Sequence, residues 1–425
     1  MISSMPSTAA SANVLSFEDA RRVVEEHASQ LRPRGKELLE LLDSVGRILA
    51  EPIPADRNFP PFPRATRDGY ALRAVDIAPL PATLQIIGEI KAGANVTVKL
   101  EAGQAAAIMT GAAVPPGADA VVMVEYTSRT GDCVEISRGI TAGDNIVAAG
   151  AEAKRGERLL LPGTRLDHAA IAVASSVGRS HLLVHSKPRV AVLATGDEIV
   201  DIDVPLTPYQ IRNSNSYSLA AQIQATGGEP MLLPIAADDP ERLRELITDG
   251  FEADLLLLTG GVSMGKYDLV EQVLAEFHAE FFFTGAQIQP GRPVVFGRIP
   301  CGAGAPADEK ACEHKYFFGL PGNPVSTMVT FELFARPLLE ALAGMQPRKL
   351  VFLRAKLRSG IKTKPGLKRF LPAQLSGEFE NAEVELIRWQ GSGDIAATAR
   401  ANCYIVISPD REQIAAGEWA PVLMR

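Results

Sequence analysis

This sequence is short of the residues on which several common chemistries depend. Its 425 residues include four cysteines, six histidines and two tryptophans. Cys133, Cys301, Cys312 and Cys403 are scattered, which argues against a disulfide frame and for a reducing compartment, the cytoplasm. Cys301, Cys312 and His314 share one loop but match no standard zinc spacing. The histidines are isolated, so no Ser-His-Asp or Cys-His arrangement is legible, and His168 reads as a packed helix residue. No stretch approaches the ~20 apolar residues needed to span a bilayer. The opening MISSMPSTAASANVLSF has neither the basic nor the apolar part of a secretory leader. Positive charge is not in excess either: 43 basic residues face 50 acidic ones, for a net charge of −7. Binding to nucleic acid or to a membrane surface through bulk charge is therefore not expected.

The composition that remains is that of a globular protein, 46% hydrophobic and 22% charged, with length for about three domains. SFED offers Ser16 as an N-cap with Asp19 three residues on, and Phe17, Ala20, Val23, Val24, His27 and Leu31 follow at helical spacing. Leucines at 38, 39, 41 and 42 with Val45 and Ile48 predict a second helix over 35–49. From 55 to 144 short β-rich runs such as TLQIIGEI and ADAVVMVEYT are punctuated by glycine and proline. Residues 162–178 return to helical periodicity. The β segment thus reads as an insertion (55–144) in a helical linker domain (16–54 and 145–186).

From 187 to 345 the pattern is strand, loop, helix, repeated. RVAVLATG, PMLLPI, ADLLLLTGG, VVFG and YFFGLPG are continuous apolar strands, and the helices between them predict a parallel-rich sheet covered on both faces. Residues 346–425 carry short strands again and predict a small β-barrel. The fold class is therefore multidomain α/β.

Ligands of such sheets bind beyond the carboxyl ends of the strands. Four of those ends are unusual here: Thr195-Gly196-Asp197-Glu198, Asp238-Asp239, the loop with Gly260, Gly261, Ser263, Gly265 and Asp268, and LPGNPVS at 320–326. Paired glycines before a helix N-terminus suit an anion, with phosphate the natural choice, although neither Gly-Lys-Ser/Thr nor G-x-G-x-x-G is present. Carboxylates beside a phosphate repel it unless a divalent cation, Mg²⁺ by its oxygen preference, lies between. Glu198, Asp268 and one of Asp238 or Asp239, taken as Asp238, are the candidate ligands. Pro321 and Pro324 fix the path of their turn, Gly322 admits a ligand, and Ser326 opens the next helix with a hydroxyl.

The stretches RATRDGYAL, IMTGAAVPPGADAVVMVE, TGDEIV, IRNSNSYSL, TGGVSMGKYD, QPGRPVVFG and LPGNPVS occur in this order between 64 and 326. Together they resemble the MoeA family of molybdopterin molybdenumtransferases, which includes the E domains of gephyrin and of plant Cnx proteins. The resemblance implies four domains, a homodimer with its active site at the subunit boundary, and the last step of molybdenum cofactor synthesis. In that step adenylyl-molybdopterin and molybdate react, the adenylate is hydrolysed off as AMP with Mg²⁺, and metal enters the dithiolene. A MogA-type adenylyltransferase would supply the substrate and molybdoenzymes would take the product.

By the same resemblance Asp68 and Thr110 reach the partner subunit's site, while Glu198 and Asp268 handle Mg²⁺ and hydrolysis. Gly260, Gly261, Ser263, Gly265, Pro321, Gly322, Pro324 and Ser326 would bind substrate, and Arg292 would meet the oxyanion. The chain departs from the family pattern at Arg67, Gln289 and Glu152. An adenylyltransferase is the alternative reading, although such a protein consists essentially of the α/β domain alone. A gephyrin-like scaffold is a remote one.

Overall fold

Ser16 starts the first helix as the SFED pattern predicts. Its Oγ accepts from the Asp19 N–H at 3.1 Å and donates to Asp19 Oδ2 at 2.7 Å, and α1 (Phe17–Gln30) follows. The computed structural model describes residues 13–261, 269–300, 314–346 and 348–425. The chain divides into two compact units. One holds the N-terminal segment to Leu38, Gly46–Ala50 and Leu183–Arg425, and the other holds Leu39–Val45 and Glu51–Leu182.

The second helix expected over 35–49 is absent. Lys36–Glu40 is a strand, Leu41–Gly46 is a turn, and Leu38, Leu42 and Val45 are exposed by 64, 75 and 55%. The leucine spacing fits a helix face, but the segment is only about three turns long and lies between Gly35 and Gly46. Isolated helices of that length are marginal, so the extended form wins where strand partners exist.

The smaller unit is built on a six-stranded sheet. Its strands are β1 (Gly69–Leu72), β2 (Ala82–Ile90), β3 (Gln104–Ile108), β4 (Ala120–Met123), β5 (Thr127–Thr130) and β6 (Cys133–Ile136), in the order β4-β1-β3-β2-β6-β5. Alternate residues face two cores, one around Tyr70, Leu72 and Val122 and the other around Ala71, Ala106 and Val121. The helix expected over 162–178 is shorter, α2 (His168–Ser176), because Asp167 caps it by accepting from the Ala170 N–H at 2.9 Å. His168 is exposed at its first position rather than packed.

The larger unit carries the predicted α/β sheet. Strands β7 (Arg189–Ala194), β8 (Glu229–Leu232), β9 (Leu255–Thr259), β10 (Glu280–Phe283), β11 (Val295–Pro300) and β12 (His314–Leu320) run in the order β8-β7-β9-β12-β11-β10. The first four in this order are parallel, β11 runs against them, and β10 pairs antiparallel with β11 and so runs with the four. Strand β9 is buried along its whole length, as its leucine run requires. Leu255 and Leu257 face α1, α3 (Ser214–Thr226), α6 (Pro324–Thr330) and α7 (Arg336–Leu342), whereas Leu256 and Leu258 face α4 (Pro240–Gly250) and α5 (Leu269–Glu276).

A π turn, Phe331–Ala335, joins α6 to α7 ahead of Pro337. Proline cannot donate to the carbonyl four residues back, here Leu333, and the buried Arg21 guanidinium of α1 donates to that oxygen instead. Beyond α7, β13 (Phe352–Leu357), β14 (Lys368–Ser376), β15 (Glu383–Leu386), β16 (Cys403–Ile407) and β17 (Trp419–Met424) close into a five-stranded barrel through the β14–β16 pairing.

Candidate active site

The chain moves from β7 to β8 on one side and then to β9 on the other, so the sheet has its switch point between β7 and β9. A crevice at this point is where an open α/β sheet takes its ligand. A cavity of about 440 Å³ lies there, walled by Glu198 and Ile199 after β7, Gly261 after β9, and Pro321, Gly322 and Pro324 after β12. Arg212, Asn213 and Asn215, at the start of α3, complete the wall with Asn323 and Pro293.

The β12–α6 turn is held from inside. Thr327 Oγ1 donates its one hydrogen to Pro321 O at 2.5 Å, with Asn323 O also within reach at 3.1 Å, and Asn215 Nδ2 donates to Gly322 O at 2.7 Å. Thr327 is fully buried, so these bonds are shielded from water. Pro321 and Pro324 have no N–H, and no described residue accepts from the N–H of Gly322 or Asn323. With the carbonyls drawn inward, Gly322 and Asn323 stand exposed on the cavity wall with their backbone N–H groups uncommitted among the described residues. Ser326 is buried in the first turn of α6 and does not line the cavity.

Gly260 permits the close approach of β9 and β7. Its φ is +91°, and a Cβ there would lie 2.3 Å from the Thr195 carbonyl oxygen. Ser263, Gly265 and Asp268 lie outside the described residues. Arg292 is exposed and does not line the cavity, although its neighbour Pro293 does.

The carboxylates fall into distinct roles. Asp239 is the N-cap of α4, accepting from the Glu241 and Arg242 N–H groups at 2.8 and 3.2 Å. Asp238 instead donates its N–H to Asp197 Oδ1 at 3.0 Å, and its own carboxyl titrates above the ordinary range. The cause is first partial burial and then the like charges of Asp197 and Glu198. Of the pair, Asp239 is spent on a helix cap, whereas the Asp238 carboxyl is not. Among the described residues no three or more His, Cys, Asp or Glu side chains are arranged to hold a metal.

In the smaller unit Asp68 Oδ1 accepts from Thr110 twice, from its N–H at 2.7 Å and its hydroxyl at 2.9 Å. These bonds hold the Asp68 carboxyl below its usual range, and both residues are exposed. Glu152 pairs with Arg64 at 2.6 Å, and Gln289 accepts from the buried Arg369, so two of the three departures from the family pattern have local partners.

Three family models match consecutive parts of the chain. They are the MoeA N-terminal region (domains I and II) at residues 15–178, a probable molybdopterin binding domain at 191–341, and the MoeA C-terminal region (domain IV) at 354–424. The molybdopterin molybdenumtransferase of Bacillus subtilis is 30% identical over 91% of this chain and 89% of its own length. The chain belongs to the MoeA family. The enzymes of the same name from Haemophilus influenzae and a Nostoc species are 32% and 37% identical, over 91% and 73% of this chain and 93% and 70% of theirs. Among solved structures, a molybdopterin biosynthesis MoeA protein from Pyrococcus horikoshii OT3 covers 97% of this chain and 100% of its own, with 28% identity and a TM-score of 0.76.

In this MoeA-family chain, sequence reasoning reached Glu198, Gly261, Pro321, Gly322 and Pro324 on the cavity wall. It missed Arg212, Asn213, Asn215 and Asn323. The stretch IRNSNSYSL was visible as part of the family resemblance, but nothing in its residue types announced which side chains would turn inward.

Proposed function

We infer that this chain is a molybdopterin molybdenumtransferase acting in the last step of molybdenum cofactor synthesis. The single observation that carries this reading is the match to curated molybdopterin molybdenumtransferases over nine-tenths of the chain, with three MoeA-type regions in order. In this reading adenylyl-molybdopterin and molybdate are substrates, water cleaves the phosphoanhydride, AMP leaves, and molybdenum passes to the dithiolene. The adenylyltransferase alternative is not favoured, because the family match extends well beyond the α/β domain on both sides.

The residues divide the work. The Gly322 and Asn323 amides offer donors to an anionic oxygen at the cavity wall. Arg292, next to the cavity-lining Pro293, supplies a cation to the tetrahedral oxyanion, and Ser326, in the first turn of α6, belongs to the same substrate-binding turn. The oxygen donors of Glu198 and Asp238 suit a hard divalent cation, and such a cation would relieve the like-charge part of what raises Asp238, the larger part being its partial burial. With Asp268 they would hold Mg²⁺, which when bound neutralises phosphate charge and polarises the phosphoryl oxygen. Ser263 and Gly265, with Gly260 and Gly261, belong to the same substrate loop.

Asp68 and Thr110 form an exposed, preordered pair in their own unit, which supports a role toward a second copy of the chain in a homodimer. A MogA-type adenylyltransferase upstream and molybdoenzymes downstream complete the expected partners. Among the described residues no helix is long and apolar enough to cross a membrane. We place the protein in the cytoplasm on its scattered cysteines.

The deciding experiment combines purified protein, adenylyl-molybdopterin, Mg²⁺ and molybdate or tungstate, and measures AMP and active cofactor. AMP release with cofactor formation is expected. Arg292→Ala should raise the molybdate concentration required. Failure of the wild-type chain to form cofactor would overturn the reading.

A further inference from the structure

We propose that Asn215 is a substrate-recognising residue, whose side-chain oxygen accepts a hydrogen bond from an N–H or O–H group on a heterocyclic end of the substrate. The inference rests on the proposed function for the identity of that substrate.

Asn215 lies in the first turn of α3, only 7% exposed, on the wall of the switch-point cavity. Its Nδ2 uses both hydrogens: one goes to Thr259 Oγ1 at 2.9 Å, the other to Gly322 O at 2.7 Å. These bonds set the orientation of the amide. Flipping it would press Oδ1 against the Gly322 carbonyl oxygen, two acceptors with no hydrogen between them. The orientation leaves Oδ1 as a buried acceptor with no partner among the described residues.

Buried polar atoms are nearly always matched, and an unmatched one in a cavity wall marks where a ligand group or an ordered water completes the set. Two neighbouring hydroxyls are also unmatched, Thr195 Oγ1 and Ser216 Oγ. Thr195 pairs with Thr259 through its backbone N–H at 3.0 Å, so these orphans surround the same strand end. A hydroxyl can donate or accept, but the Asn215 oxygen can only accept. Molybdate and ionised phosphate bring no hydrogen to it. The pterin ring and the adenosine do, each with N–H donors, and the adenosine also with hydroxyls. Asn215 thus ties two functions together: its nitrogen fixes the anion-facing turn and its oxygen reads a neutral donor.

The test is equilibrium binding of molybdopterin and, separately, of AMP to the wild-type chain, Asn215→Leu and Thr259→Val. Leucine keeps the volume and removes the oxygen together with both Nδ2 bonds. Valine at 259 removes one partner of Nδ2 and leaves Oδ1 in place. We expect Asn215→Leu to weaken one ligand by about tenfold or more, since loss of a partner from a site built for it is strongly discriminated. Thr259→Val should weaken both ligands alike and by no more than about threefold. The ligand that moves identifies the group read, pterin or adenosine. Unchanged binding of both ligands, or equal losses in the two variants, overturns the proposal while leaving the function intact. No binding of either ligand by the wild-type chain overturns the function and the proposal together. If circular dichroism shows Asn215→Leu to be unfolded, Asn215→Ser carries the same comparison.

Discussion

Asp68 and Thr110 form a two-point contact across 42 residues of chain: one carboxylate oxygen accepts both the backbone N–H, at 2.7 Å, and the side-chain hydroxyl, at 2.9 Å. The pair is exposed, so it contributes little to stability through burial, yet it fixes a charge at a defined point. The two Thr110 bonds depress the Asp68 pKa, the N–H more than the hydroxyl. For a depressed acid the favourable term is present above its unfolded value and disappears as pH falls through the folded one. Asp68 is thus anionic throughout any working range.

Asp68→Asn keeps an acceptor oxygen for Thr110 but removes the charge. If the charge serves the reaction, cofactor formation should fall by on the order of 10²-fold, with thermal unfolding moved by no more than a degree or two. Thr110→Val removes the hydroxyl and leaves the N–H, and should lose about tenfold. Full turnover by Asp68→Asn would exclude its charge from the chemistry.

Asp238 behaves in the opposite way. Its raised pKa means that the folded state favours the protonated form. That stabilisation is complete below the unfolded value and is lost as pH rises through the folded one. At neutral pH its charge therefore works against the fold. Asp238→Asn keeps the backbone N–H bond to Asp197 and should be neutral to a few tenths of a kcal/mol stabilising at pH 7, a gain absent near pH 3. The same variant should need more Mg²⁺ for AMP release. A destabilised variant with unchanged Mg²⁺ dependence would show that Asp238 is only a turn residue.

Much of this architecture is legible because long apolar strands and their helices leave few alternatives. The five leucine-rich residues of β9 are buried on both faces, and SFED caps α1 as its spacing requires. The error at 35–49 has a physical cause: leucines at helical spacing also suit a short strand, and the choice is made by partners distant in sequence. The site was legible where backbone geometry dictates residue type, as at Gly260 and at Pro321 and Pro324. It was not legible at Asn213 and Asn215, because asparagine at a helix start is ordinary capping sequence. Asn213 does cap α3, accepting from the Ser216 N–H at 3.1 Å, and Asn215 two residues on does something else.

The cavity wall depends on Thr327, which is fully buried and reaches two carbonyls of the β12–α6 turn. Thr327→Val keeps the shape and leaves the Pro321 carbonyl with only the long 3.4 Å contact from Thr259. The expected cost is about 1–3 kcal/mol in stability. Binding of anionic ligand should weaken as well, because the Gly322 and Asn323 amides lose their fixed direction. Thr327→Ser, which keeps the hydroxyl, should restore most of both. Equal behaviour of the valine and serine variants would show that the methyl group matters and the hydrogen bonds do not.

Arg21 gives the last test, and it separates stability from function. Its guanidinium is buried, donates to the Leu333 carbonyl that faces Pro337, lies 3.3 Å from Arg348 O, and pairs with Glu25 at 2.7 Å. A proline at 337 removes the ordinary donor for Leu333, so without Arg21 a buried carbonyl loses its charged partner where the helix is already widened into a π turn. Arg21→Met keeps much of the stem and should cost about 3 kcal/mol, read as a lower urea midpoint, since bonds to charged groups are worth about 1.5–3 kcal/mol each. Glu25→Gln should cost less, as Glu25 is more exposed and can still accept. Restoring an N–H by Pro337→Ala in the Arg21→Met background should recover part of the loss, while the same change alone should do little. Additive effects of the two substitutions would show that Arg21 and Pro337 are not coupled through the Leu333 carbonyl.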